Sequence, residues 1–197
     1  PDGALDSGFG SNGRAAAEIG SIDFGYAAAL QSDGKIVVAG RVSYSRGDES
    51  DVGVARFNAD GTLDPGFGSV GTRTFDLSTN WDEATAIAVQ PDGKLVLAVA
   101  YSDAGNFAFG ALRLTTGGDR DATFGSNGFV SRHIGSGNDS PTAIALQSDG
   151  RILLGGYAVN ATTSFDVALA RFSTNGTTDS SFGTGGAQLF DLFKGLY

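Results

Sequence analysis

Cysteine and methionine are both absent from this 197-residue chain. Without cysteine there is no disulfide, no thiol nucleophile and no thiolate metal site, and either redox compartment stays open to the fold. A single histidine, His133, excludes a multi-histidine zinc site. Any Ser-His-Asp mechanism would have to run through that residue, and no Gly-x-Ser-x-Gly elbow accompanies it. Lysine occurs only at Lys35, Lys94 and Lys194, and the net charge is −9 with no basic patch. Binding to a phosphate backbone needs clustered cations, so nucleic acid is not expected as a partner. No apolar run is long enough to span a bilayer as a helix. The chain begins at Pro1 with no legible signal peptide, which is expected of a mature or trimmed product. No segment carries a helical period, and 31 glycines argue against long helices.

What the chain has in abundance is itself. The phrase Asp-x-x-Phe-Gly-x-x-Gly stands at Asp6–Gly13, Asp64–Gly71, Asp121–Gly128 and Asp179–Gly186, at spacings of 58, 57 and 58 residues. Ala29-Leu30-Gln31-Ser32-Asp33-Gly34-Lys35 returns at 88–94 and again at 145–151. Val54-Ala55-Arg56-Phe57 returns at 111–114 and 169–172, each time followed by Asp60-Gly61, Gly117-Gly118 or Asn175-Gly176. A fixed period of this size means one supersecondary unit stacked repeatedly. Residues that recur in every unit more often build the unit than catalyse.

Each copy reads as four short strands. Asp-Gly and Asn-Gly between apolar runs are hairpin signals, and type I′ turns are expected there. The first strands are expected at 27–31, 84–90 and 142–147. The second, at 35–42, 94–101 and 151–159, are almost unbroken in apolar residues, as strands covered on both faces are. The third are expected at 52–57, 107–114 and 166–172. The fourth follow the Phe-Gly phrase at 14–19, 72–77, 129–134 and 187–190. Four antiparallel strands per repeat, buried on both faces, describe a β-propeller blade, and a β-solenoid or sandwich fits the period less well. The expected fold is all-β: about three blade-like repeats at 21–77, 78–134 and 135–193, with residues 1–20 the tail of a preceding copy and its spare strand. Phe9, Phe67, Phe124 and Phe182 hold the same place in each copy, as side chains plugging the gap between blades would.

The pattern Leu-Asp-x-x-Phe-Gly-x-x-Gly, Gln-x-Asp-Gly-Lys and Ala-Arg-Phe-x-x-Asp-Gly resembles the bacterial delta-60 repeat family. Here it is carried by Leu63, Asp64, Phe67, Gly68, Gly71, Gln90, Asp92, Gly93, Lys94, Arg56, Phe57, Asp60 and Gly61. The resemblance covers essentially the whole chain. It implies β-propeller modules of large exported or surface proteins and no particular enzymatic activity. The chain departs from the pattern at Arg120 and Thr178, where Leu63 would be matched, and at Leu114 in place of Phe.

Several residues invite a chemical reading. Arg56, Arg113 and Arg171 lie in apolar strands, and Asp6, Asp64, Asp121 and Asp179 recur at matching positions. They could form a repeated ligand site, but a repeated Arg–carboxylate clamp is preferred, because a buried Arg needs a bidentate partner. Phe9, Phe67, Phe124 and Phe182 with Gly10 and Gly68 are assigned to the same structural set. Asn58-x-Asp60-Gly61 superficially resembles a calcium loop, yet aligning it to an EF-hand puts Arg56 and Phe67 where oxygen ligands belong. No cofactor is expected. An oxygen cage for calcium stays open in the loops holding Asp48, Asp51, Asp82 and Glu83. Trp81, the sole Trp, could stack on a sugar or cover a blade edge.

The second-to-third strand loops at 43–51, 102–106 and 160–165 differ in length and chemistry on a constant frame, and such loops are where specificity usually sits. The expectation is a non-enzymatic scaffold binding glycan or protein, secreted, periplasmic or at a bacterial cell surface. The alternatives are a hydrolase or lyase with a channel active site, and a structural fragment of a larger propeller. Propellers have about 4–8 blades, so self-association or further blades are expected to close the ring.

Overall fold

The computed structural model describes residues 3–44, 49–103, 105–160 and 165–191. Twelve strands follow in chain order: β1 (Ile22–Leu30), β2 (Ile36–Ser43), β3 (Asp51–Phe57), β4 (Thr72–Phe75), β5 (Asp82–Val89), β6 (Leu95–Asp103), β7 (Asn106–Leu114), β8 (Phe129–Arg132), β9 (Asp139–Leu146), β10 (Ile152–Ala158), β11 (Asp166–Phe172) and β12 (Ala187–Phe190). They form three four-stranded antiparallel sheets in simple meander order, β1–β4, β5–β8 and β9–β12. Each sheet is one repeat, and the fold is the expected all-β set of propeller blades. No helix among the described residues is long and apolar enough to cross a membrane.

The two gaps between sheets are the cores. Val37, Val54, Phe67, Leu95, Leu97 and Leu112 fill the first, and Val96, Phe109, Phe124, Ile152, Leu154 and Phe172 fill the second. Successive residues of β6 alternate between them: Leu95 and Leu97 enter the first core, Val96 and Ala98 the second. That period-2 division is why residues 95–100 of β6 are apolar without a break. Phe67 and Phe124 are fully buried, one in each gap, and each contributes roughly 1.5–3 kcal/mol by leaving water. Phe9 and Phe182, in the two outer phrases, are only partly buried.

Two expectations need correction. The hairpin turns are not type I′. Gly34, Gly93 and Gly150 have positive φ, but Asp33, Asp92 and Asp149 do not. Gly34 N–H donates to the Gln31 carbonyl (3.0 Å) and Gln31 N–H to the Lys35 carbonyl (2.8 Å). This is a type I turn closed by a left-handed glycine, a longer loop that needs only one positive φ. The Asp33 carboxylate caps it by accepting from Lys35 N–H at 3.2 Å. The second concerns residues 14–19. Outside a single bridge from Gly10 to Arg14, that segment belongs to no ladder. A fourth strand pairs with a third, and no described residues supply a third strand beside it. Instead Ala15, Ala16, Ala17 and Ile19 line a cavity together with Val38, Ala55 and Phe57 on the outer face of the first sheet. The outer face of the third sheet shows Tyr157, Val167 and Phe190 partly exposed. Three sheets with such outer faces are an incomplete propeller.

Within each Phe-Gly-x-x-Gly phrase the residue before the last glycine is left-handed: Asn12 (φ 53°), Val70 (54°), Asn127 (50°) and Gly185 (59°). Asn and Gly accept that conformation, whereas a β-branched residue clashes with its own backbone there. Val70 is exposed, so its side chain gains little in return. Val70→Asn is expected to stabilise the protein by about 1 kcal/mol, seen as a raised denaturation midpoint with unchanged m-value.

Candidate functional site

The repeated residues converge on one contact made between neighbouring sheets. Arg56 Nε donates to Asp64 Oδ2 at 2.7 Å, and its Nη1 crosses to the Thr116 carbonyl of the next repeat at 2.5 Å. Arg113 does the same with Asp121 (2.8 Å) and Thr174 (2.6 Å). Arg171 Nε reaches Asp179 at 2.8 Å. Each guanidinium lies over the phrase's ring: Arg56 on Phe67 (4.7 Å), Arg113 on Phe124 (4.5 Å) and Arg171 on Phe182 (4.7 Å). Gly10, Gly68 and Gly125 N–H groups donate to the carbonyls of Asp60, Gly117 and Asn175, one repeat further on. A second cation joins each of these three carboxylates: Lys35 at Asp64 (3.4 Å), Lys94 at Asp121 (2.9 Å) and Arg151 at Asp179 (3.0 Å). Burial alone would raise the Asp121 carboxyl, but hydrogen bonds from Thr123 and Lys94 and the Arg113 charge outweigh it and hold it well below 3.8. Asp64 is lowered likewise, by Gly66 N–H and Arg56 against its burial. Asp6 has no such Arg among the described residues; its carboxylate accepts from Gly8 N–H at 2.9 Å.

A second repeated carboxylate went unnoticed in the sequence, although Asp23, Asp82 and Asp139 recur in step with the other phrases. Each opens or adjoins the first strand of its sheet and ties down the crossover that leads into it. Asp82 accepts from Leu77 N–H (3.0 Å), Ser78 N–H (2.7 Å) and Ser78 Oγ (2.9 Å). Asp139 accepts from Ile134 and Gly135, and Asp23 from Ile19 and Gly20. Asp82 is therefore no exposed loop ligand. It is fully buried, and burial raises its carboxyl above the ordinary value despite those donors. His133 lies beside Asp139, its Nδ1 3.8 Å from Oδ2.

Residues that do not repeat gather at one end of the gap between the first two sheets. Phe24 and Arg41 are cross-strand partners on β1 and β2 and share a face. Trp81 comes from the second sheet, its backbone bridged to Ser50 and fixed by the Asp82 N–H to Ser50 carbonyl bond of 2.7 Å. The Arg41 guanidinium sits 4.7 Å from the Phe24 ring and 5.1 Å from the Trp81 ring. Tyr26, the extra residue of the β1 bulge, stacks on Phe24 at 6.1 Å. The three rings stay about half exposed, at 44% (Phe24), 46% (Tyr26) and 42% (Trp81). Burial and then the nearby Glu83 carboxylate raise the Tyr26 hydroxyl, partly offset by Arg41. Asp51, the residue after the Ser50 that bridges to Trp81, is raised by burial and by Asp76, Asp82 and Glu49.

The expected binding residues thus separate. Trp81 and Glu83 join this aromatic cleft, Asp51 borders it, Asp82 does not take part, and Asp48 lies outside the described residues. Of the variable loops, 45–48, 104 and 161–164 also lie outside them. Phe24, Tyr26 and Arg41 were missed because they sit inside strands. The signal available was that Phe24 is matched by Glu83 and Ser140 in the other copies, and Arg41 by Ala100 and Tyr157.

A family model described as "Domain of unknown function (DUF5122) beta-propeller" matches the chain three times, at residues 31–67, 90–124 and 147–182. The three matches fall on the three repeats and together cover more than half of the sequence. No curated protein matches the chain.

Proposed function

The chain belongs to the DUF5122 β-propeller family, and we propose that it serves as a non-enzymatic binding scaffold whose ligand site is the aromatic cleft between the first two blades. One observation carries this reading. The contacts that hold blades together use the same residues at each junction, whereas the cleft concentrates three half-exposed rings, a guanidinium and a carboxylate that the frame does not repeat. Exposed aromatics grouped on a rigid support are costly to leave in water and usually serve recognition. Further blades, or a second copy, complete the ring and leave this cleft on its rim. The acidic, cysteine-free composition suits an exported or surface-exposed bacterial protein.

A printed array of oligosaccharides and short peptides, probed with labelled protein, tests the reading. A subset of spots should retain the wild type and lose the Phe24→Ala/Trp81→Ala variant by tenfold or more, with melting temperature preserved. Retention that is indifferent to both rings would sink the assignment. So would turnover of any spotted substrate that His133→Ala abolishes.

A further inference from the structure

The cleft already holds a cation of its own. Arg41 is stacked between Phe24 and Trp81, and its buried Nε has no hydrogen-bond partner among the described residues. With Nε unpartnered, the guanidinium is held there by the ring faces, the Tyr26 hydroxyl and the surrounding negative potential. Those rings expose further faces to solvent, on Trp81 and on the stacked Phe24–Tyr26 pair. The surroundings are acidic: Glu83 stands near Tyr26, and Asp51, Asp76 and Glu49 cluster at the end of the cleft where Trp81 meets Ser50. The whole chain carries −9, so an approaching cation is steered toward it. Neutral sugars could use the rings but would draw nothing from this charge, and an acidic ligand would be repelled by it.

We propose that the cleft recognises a basic polypeptide segment of a partner, taking an arginine or lysine side chain against the outer faces of Trp81 and Tyr26 with Glu83 as its counter-charge. This rests on the cleft being a binding site at all. Cation–π contact on a Trp face, reinforced by a carboxylate, is the chemistry that such a grouping offers. The internal Arg41 stands where the ligand's cation would profit most, so it competes with the ligand and repels it.

The test uses the intact protein and four fluorescent probes: a peptide alternating arginine and glycine, the same peptide with glutamate or with serine for arginine, and a neutral hexasaccharide. The arginine peptide should bind, weakening as salt rises. Trp81→Ala should weaken it about tenfold and Glu83→Gln a few-fold, whereas Glu18→Gln, an exposed carboxylate outside this cluster, should leave it unchanged. Arg41→Gln should instead tighten binding about threefold, a gain that loss of structure would not produce. It also keeps the test decisive if Trp81→Ala fails to fold. Binding of the arginine peptide with no dependence on Trp81 and no gain from Arg41→Gln would overturn the proposal, as general attraction to an acidic surface. Trp81-dependent binding of the serine peptide or the hexasaccharide would overturn the cationic class and keep the cleft as a binding site. Binding of none of the four overturns the proposal, while the array above decides whether the cleft binds anything.

Discussion

Arg113→Leu is expected to cost about 3–5 kcal/mol, the usual penalty for removing one partner of a buried ion pair, and to lower the melting temperature by on the order of 10 °C. Its side chain is 7% exposed and makes four contacts at once: Asp121, the Thr123 hydroxyl, the Thr174 carbonyl of the next blade and the Phe124 face. Leucine fills part of the space but leaves Asp121, 4% exposed, with only Lys94 as its cation, and leaves a carbonyl at the junction without its donor. Arg171→Leu is the internal comparison. That side chain is 19% exposed, and its described partners lie within its own repeat, so the loss should be smaller, about 1–2 kcal/mol. Combining Arg113→Leu with Asp121→Asn should cost less than the two added, because the second change removes the charge the first strands. The same clamp sets the acid limb. Asp64 and Asp121 are held below 3.8 in the folded state, so their contribution is complete above that value and is lost as pH falls below it toward their depressed values. The difference in denaturant midpoint between wild type and Asp121→Asn should stay level from pH 7 to about 4 and then shrink, a subtraction that removes the opposite contribution of Asp82 and Asp51, whose raised carboxyls add stability as pH falls. Equal melting temperatures for wild type and Arg113→Leu would remove the clamp from the account of stability.

Why the frame was legible and the cleft was not follows from how each is encoded. Every blade solves the same packing problem, so Arg, Asp, Phe and Gly return at the same offsets, and repetition exposes them without any structure. Strand limits follow too: apolar runs bounded by glycine turns leave little freedom, and the strands at 166–172 and 187–190 have the limits that the sequence predicts. Residues 14–19 misled because a strand is a pairing, not a pattern, and its partner strand is not beside it. The turns misled because Asp-Gly fits both a type I′ hairpin and a type I turn with a left-handed glycine, and only the register separates them. Asp82 looked like a loop acid until its crossover folded over it. The cleft is assembled from Phe24, Arg41 and Trp81, separated by 17 and 40 residues, whose only signature is that they fail to repeat.

Gly118→Ala should destabilise by about 2–5 kcal/mol, through two separable terms. The residue has φ +90°, where an L side chain is strained by about 1–2 kcal/mol. A methyl group there would also fall 2.7–2.8 Å from the ring of Phe67, which is fully buried and packed beneath Arg56. The ring cannot retreat without lifting the guanidinium from Asp64 and from Thr116. Gly105 supplies the control: its φ is +92°, and a methyl group there would meet nothing within 4 Å. Gly105→Ala therefore measures the backbone term alone, and the excess at Gly118 measures how tightly one blade's turn is seated on its neighbour's phenylalanine. At Gly61 and Gly176 a methyl group would first meet the backbone N of Gly10 or Gly125 at 2.7 Å, with the Phe9 ring at 3.1 Å and the Phe124 ring at 3.0 Å. Gly176→Ala should cost at least as much as Gly118→Ala, because the Gly125 backbone and the fully buried Phe124 ring both stand in its way. Gly61→Ala should likewise exceed Gly105→Ala, because the backbone it meets at Gly10 cannot move aside as a side chain can. Pairing Gly118→Ala with Phe67→Leu should recover part of the loss, since the smaller side chain vacates the contested volume. Chemical denaturation of the five variants decides it: equal penalties at Gly105 and Gly118 would mean that the turn glycine serves its own backbone only and plays no part in locking the blades together.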